Sequence, residues 1–129
     1  MKIVLDTNVI LSSFITQGLS YRVLDLCLDR HRLYISQWII DEISGKLKKK
    51  FKIPDNEIKR VQDFISRAFV IINPDGEIPI LCRDKDDNNI LHLAQFIKAD
   101  IIITGDKDLL DLKKFNKVKI INPRTYMEK

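Results

Sequence analysis

The amino-acid sequence predicts an α/β fold in which a parallel sheet is covered on both faces by helices. Three observations lead there. Strand-like and helix-like patterns alternate along the chain. The two clearest strand candidates, "IVL" at 3–5 and "III" at 101–103, are continuously apolar, as strands buried on both faces are. A chain of 129 residues with no linker and no low-complexity stretch fits a single domain, here 1–129, with a sizeable core.

The elements follow in order. The first strand covers roughly 2–6, ending on Asp6, and is followed by a turn-prone "SSFITQGLS". Tyr21, Leu24 and Leu28 recur near helical spacing, which predicts a helix over 20–31, and "RLYIS" is a short strand. Ser36 caps a helix from Gln37 whose apolar face is Ile39, Ile40, Ile43 and Leu47. Pro54 and Asp55 open the next helix, with Ile58, Val61, Ile65 and Ala68 on one stripe. "FVIIN" is a strand closed by the Pro-Asp-Gly turn at 74–76. "DDNNILHLAQFIK" is a helix with an acid and amide cluster at its start and Ile90, Leu91, Ala94 and Ile97 as its stripe. The three-isoleucine strand then runs into Thr-Gly-Asp, a short helix covers 107–114, and "KVKII" is the last strand, stopped by Asn122-Pro123. In such sheets function sits beyond the carboxyl ends of the strands, where both Asp6 and Asp106 fall.

Composition narrows the class. With 45% hydrophobic and 31% charged residues the chain is globular rather than disordered. No apolar stretch approaches the ~20 residues that cross a bilayer, and no secretory segment is visible at the start, so no membrane association is expected. Cys27 and Cys82 lie in no metal-ligand or C-x-x-C spacing, which points to reduced thiols and a cytoplasmic setting. The net charge of +4 is mild, but it is unevenly spread: "GKLKKKFK" gathers Lys46, Lys48, Lys49, Lys50 and Lys52, while "RDKDD" gathers Asp84, Asp86 and Asp87. The lysine run continues from the helix that carries Glu42. It reads either as a solvated face or as a guide for a phosphate backbone through Lys46, Lys49 and Lys50.

Four carboxylates are candidates for the crevice: Asp6 at the end of the first strand, Glu42 on the flank of its helix's apolar face, Asp87 in line with Ile90, Leu91 and Ala94, and Asp106 after "IIIT", with Asp108 close behind. Two carboxylates 5 Å apart repel by roughly 3 kcal/mol at an effective dielectric near 20. Four of them need a cation to stay ionised together. Ligation by oxygen alone, with no His or Cys, suits Mg²⁺ or Mn²⁺ rather than Zn²⁺, and such ions support hydrolysis of a phosphodiester.

"IVLDTNVIL", "IDEI", "DKDDNNILHLA" and "IIITGDKDLL" resemble, in order and across nearly the whole chain, the four acidic motifs of PIN-domain nucleases. The likeness is strongest to the VapC-like PIN proteins that act as toxins of toxin–antitoxin systems. Asp6 matches the first acid, Glu42 the second, Asp87 the third, Asp106 the fourth and Asp108 an accessory acid, with Asn8 and Thr104 at the positions of hydrogen-bonding residues flanking the metal. Asp84 and Asp86 crowd the third motif; the family's Asp-x-x-Ile/Leu-x-x-Ala spacing selects Asp87, and the other two are left as helix caps. The resemblance implies a Rossmann-like three-layer α/β/α sandwich and a Mg²⁺- or Mn²⁺-dependent endoribonuclease leaving a 5′-phosphate and a 3′-hydroxyl. It also implies a homodimer in many cases and, for a toxin, an antitoxin protein as partner.

Plainer readings stand beside this one. Asp6 ends a strand where backbone amides would satisfy it; Glu42 would be solvated; Asp87 would complement a helix dipole; Asp106 and Asp108 would cap and begin a short helix. His31 and His92 read as surface residues, and Trp38, Phe64 and Phe69 as core. Three other functions share the pattern: a PIN-fold RNA-processing nuclease without an antitoxin, a haloacid-dehalogenase-like phosphatase, and a PIN scaffold that binds RNA or protein without cutting. The phosphatase reading requires a second aspartate two residues after Asp6, where this chain has Asn8.

Overall fold

Ile3, Val4 and Leu5 are fully enclosed in the computed structural model, which describes residues 1–128. The chain runs through β1 (Lys2–Leu5), α1 (Thr7–Ile15), α2 (Leu19–Arg30), β2 (Arg32–Ile35), α3 (Gln37–Lys49), α4 (Asp55–Ala68) and β3 (Val70–Ile71). It continues through α5 (Lys85–Ile97), β4 (Ile101–Ile103), α6 (Lys107–Leu112), β5 (Lys114–Phe115), β6 (Val118–Ile121) and α7 (Pro123–Met127). The strands form one six-stranded sheet in the order β3-β2-β1-β4-β6-β5, parallel except for the β5–β6 pair at one edge. This is the expected α/β/α arrangement around a mostly parallel sheet.

The connections decide where function can sit. From β1 the chain steps outward through β2 to β3 on one side, then crosses to β4 and β6 on the other. The direction therefore reverses between β1 and β4, whose registers place Ile3 beside Ile101 and Leu5 beside Ile103. A crevice opens at such a switch point, outside the carboxyl ends of the two strands. The amide of Asp6 donates to the carbonyl of Ile103 at 2.9 Å, which carries the pairing up to the rim of that crevice.

Local signals account for most boundaries. Ser36 Oγ accepts from the Ile39 amide and starts α3, Asp84 accepts from the Asp86 amide and starts α5, and Asn122 accepts from the Thr125 amide with Pro123 in the first turn. Asn122-Pro123, expected only to stop a strand, thus also opens α7. A larger departure is α1, which the sequence pattern does not predict: Thr7–Ile15, including the first four residues of the turn-prone "SSFITQGLS", is helical because Val9, Ile10 and Leu11 are buried and the helix packs on α2 and α3. That packing outweighs the poor helix propensity of its β-branched and serine residues. "FVIIN" shrinks to the two residues of β3, exposed at the sheet edge and paired with β2 alone.

Three side-chain expectations are corrected. His92 is buried, because α5 packs on β1 and α3 and is enclosed nearly all round; its ring nitrogen Nε2 bonds the Asp75 carbonyl at 3.0 Å. His31 is half-buried beside Tyr126. Phe64 is exposed rather than core and meets Phe14 of α1 edge-on, with ring centroids 5.7 Å apart. Phe69 is buried and Trp38 is partly buried against the core. Both cysteines are free. Among the described residues no helix is long and apolar enough to cross a membrane.

Candidate metal centre

Asp6 is the residue at which β1 gives way to α1. Its carbonyl accepts from the amides of Val9 and Ile10, and its side chain, only 3% exposed, is left to face the crevice. Thr104, the residue after β4, is fully buried and donates its hydroxyl to Asp6 Oδ2 at 2.7 Å. The same hydroxyl accepts the amide of Asp106 at 2.9 Å. One threonine therefore ties the acid of β1 to the acid that follows β4. Asp106 Oδ1 accepts from the amides of Asp108 at 2.8 Å and Leu109 at 3.4 Å, so it also caps α6. The plain capping role and a place in the acid cluster are compatible, since a carboxylate has two oxygens.

Asp87 enters from α5. It is buried, and among the described residues its Oδ2 has no hydrogen-bond partner. Carboxylate oxygens of Asp87, Asp106 and Asp108 lie within 4.8 Å of one another. The electrostatic consequence falls on Asp87, whose carboxyl is pushed up to about 7: burial contributes most, followed by the charges of Asp106, Asp6 and Asp84 and contact with the Asp106 side chain. Asp6 is also raised, again chiefly by burial and further by Asp106, while the Thr104 hydroxyl and the amides of Thr7 and Asn8 work in the opposite direction. The Cys82 thiol at the border is raised by burial and then by the surrounding aspartates.

A buried carboxylate oxygen without a donor, in a cluster of like charges, is a place where a cation would offset both desolvation and repulsion. The donors are hard oxygens without histidine or thiolate, a set that fits Mg²⁺ or Mn²⁺ and fits Zn²⁺ poorly.

Two cations border the cluster. Lys46 Nζ lies 3.5 Å from Asp86 Oδ2 and 3.4 Å from Asn8 Oδ1, so one α3 side chain joins α1 to the start of α5. Arg83 Nη2 is 3.3 Å from both oxygens of Asp108. Glu42, one helical turn before Lys46, is half-buried beside a groove on α3 and lies outside the 4.8 Å group, as does Asp6. Lys49 and Lys50 line that same groove. Asp84 caps α5 as expected, and Asp86 pairs with Lys46 rather than capping.

Three residues enter the site that sequence reasoning did not single out. Asn88 holds the loop before α5: its Oδ1 accepts from the amides of Leu81 and Cys82, and its Nδ2 donates to the Cys82 carbonyl. Arg83 reaches Asp108 from that loop. Thr7 has a buried hydroxyl with no partner among the described residues. The amide pair in "DDNNI" was the one visible hint, because a polar side chain in line with an apolar stripe needs a specific partner.

A family model described as a PIN domain matches residues 2–108, a span that includes Asp6, Glu42, Asp87, Asp106 and Asp108. An uncharacterized protein of Methanocaldococcus jannaschii is 40% identical, over 95% of this chain and 81% of its own length. Among solved structures, the fold is similar to a chain in the crystal structure of VapBC2 from Rickettsia felis bound to a DNA fragment from their promoter. That likeness has a TM-score of 0.68 at 16% identity and covers 95% of this chain and 98% of the other.

Proposed function

The chain belongs to the PIN-domain family, and from that premise we propose that it is a Mg²⁺- or Mn²⁺-dependent endoribonuclease, the toxin component of a toxin–antitoxin system. The observation that supports metal dependence is Asp87: a buried carboxylate oxygen, unpartnered among the described residues, held against Asp106 and Asp108, with its carboxyl raised by burial and by the neighbouring charges. Asp6, Glu42, Asp87 and Asp106 would hold the ion or ions, with Asp108 as an accessory. When bound, a divalent cation neutralises the scissile phosphate and activates water for in-line hydrolysis.

The chain's own residues do the rest. Thr104 fixes the Asp6 carboxylate and, through its bond to the Asp106 amide, the position of the second acid. Asn8 belongs to the same rim through Lys46. Asp87, raised to about 7 by burial and by its neighbouring carboxylates, would be fully ionised beside a bound cation, so metal affinity would increase with pH through that range. RNA is the proposed substrate, supported by the family resemblance of the four motifs and by the lysines beside the acids. The antitoxin partner rests on the fold shared with the VapBC2 chain, and a homodimer and a cytoplasmic setting are part of the reading on the family resemblance alone. Asn8, in place of a second aspartate and bonded to Lys46, disfavours the phosphatase alternative.

The test is cleavage of single-stranded RNA with Mn²⁺ by the wild type and Asp6→Asn. We expect wild-type cleavage, loss on addition of EDTA, and no cleavage by the variant while its circular dichroism is unchanged. Equal cleavage by the two proteins removes Asp6 from the centre. Release of phosphate from a monoester, with RNA left intact, refutes the nuclease reading.

A further inference from the structure

Gly45 lies in the interior of α3, where glycine costs about 1 kcal/mol relative to alanine. The fold does not require it: a Cβ built at Gly45 meets nothing within 4 Å. What adjoins it is a groove of about 330 Å³ lined by Asp41, Glu42, Gly45, Lys46, Lys49 and Lys50. Along the helix this groove is acidic at the Glu42 end and basic at the other. Lys46 joins it to the acid cluster through Asn8 and Asp86. Among the described residues Lys49 and Lys50 make no ion pair, whereas Lys48 faces away and lies 3.7 Å from Asp55. At the far end the Lys50 ammonium sits 5.6 Å above the Phe51 ring, itself exposed. The helix dipole favours lysines in a last turn. It does not account for a bare backbone one turn earlier.

We propose that this face of α3 is the track by which a single-stranded RNA backbone reaches the acid cluster. Gly45 leaves the helix bare so that the sugar–phosphate chain passes close to it, and Lys46 contacts the phosphate nearest the cluster. The proposal rests on the nuclease reading and deepens it. A mobile lysine would lose more entropy on binding a phosphate than one already held in place. Here Asn8 and Asp86 hold the ammonium at the rim, which lowers the entropy lost on binding. Lys49 and Lys50 supply further phosphate contacts along the strand, with the Lys50 ammonium resting over the Phe51 ring at the far end.

The experiment is fluorescence anisotropy of a labelled single-stranded oligouridylate in EDTA across a salt series, with melting temperatures measured on the same proteins. Lys46→Gln is expected to bind about fivefold more weakly, with a slope of log affinity against log salt shallower by about 0.7. Lys46→Arg keeps the slope. Gly45→Leu, which changes no charge, weakens binding severalfold at an unchanged slope while its melting temperature rises by about 2–4 °C. Lys48→Gln binds as the wild type. Wild-type affinity and slope in Lys46→Gln and Gly45→Leu, in a protein that still cuts RNA with Mn²⁺, overturn the track alone. A lower melting temperature for Lys46→Gln at an unchanged slope makes Lys46 a structural tie and overturns its phosphate contact. Failure of the wild type both to bind the strand and to cut RNA overturns the nuclease reading with it.

Discussion

Replacing Asp87 with asparagine should stabilise the metal-free protein at neutral pH while abolishing its response to metal. In the folded chain the carboxyl is pushed up to about 7 from an ordinary 3.8, by burial first and then by Asp106, Asp6 and Asp84. Between those values the folded state binds a proton that the unfolded state has lost. Wild-type stability therefore falls as pH rises from about 4 to about 7 and is level above. The full separation corresponds to about 4 kcal/mol. Asp106, whose charge contributes to the field, is only partly buried and so screened by solvent, which makes ~1–2 kcal/mol the expected size. For a chain of this length the variant should melt about 3–10 °C higher at pH 8 in EDTA. At pH 4 the two proteins should melt together, since both then carry a neutral group. Saturating Mn²⁺ reverses the order at pH 8, because an ion at a hundred times its dissociation constant stabilises the wild type by about 2.7 kcal/mol and finds one ligand fewer in the variant. The assay is thermal melting by circular dichroism from pH 4 to 8.5, with EDTA or Mn²⁺. A variant that melts lower than the wild type at pH 8 in EDTA, or by the same margin at every pH, refutes the reasoning.

Two further outcomes are expected. Thr104→Val keeps the shape but removes both bonds of the hydroxyl, to Asp6 Oδ2 and from the Asp106 amide; urea unfolding should show a loss of about 1–3 kcal/mol, and a loss below about 0.5 kcal/mol contradicts the tie between the two acids. Cys27 is fully buried with its thiol pushed up to about 11, whereas Cys82 is partly accessible; Ellman's reagent should titrate one thiol in the native protein and two after unfolding, and equal reactivity of both in the native state contradicts the packing around α2 and α7.

The strands and caps were legible because their signals are local. Ile3–Leu5 and Ile101–Ile103 are apolar without interruption, and Ser36 and Asp84 stand immediately before helices whose apolar faces repeat at three and four residues. What was not legible depended on neighbours distant in sequence. The α1 helix forms against α2 and α3 despite serines and β-branched residues, and once it forms, Phe14 gives Phe64 a partner outside the main core. His92 is buried because α5 is enclosed on more sides than one apolar stripe announces.

The acids divide along the same line. Which residues are candidates was readable from the chain: Asp6, Glu42, Asp87 and Asp106 lie on core-facing elements at the positions of four family motifs, and Asp108 follows. How they relate was not. The Thr104–Asp6 bond spans 98 residues and exists because β1 and β4 are paired side by side. Asp87 of α5 comes against Asp106 and Asp108, while Glu42 also lines the α3 groove. Sequence determined the identity and local placement of each carboxylate, because strand ends and helix starts are set by short-range patterns. Only the tertiary structure decided which of them share a field, because desolvation and repulsion depend on distances that the sheet order, and not the spacing along the chain, creates.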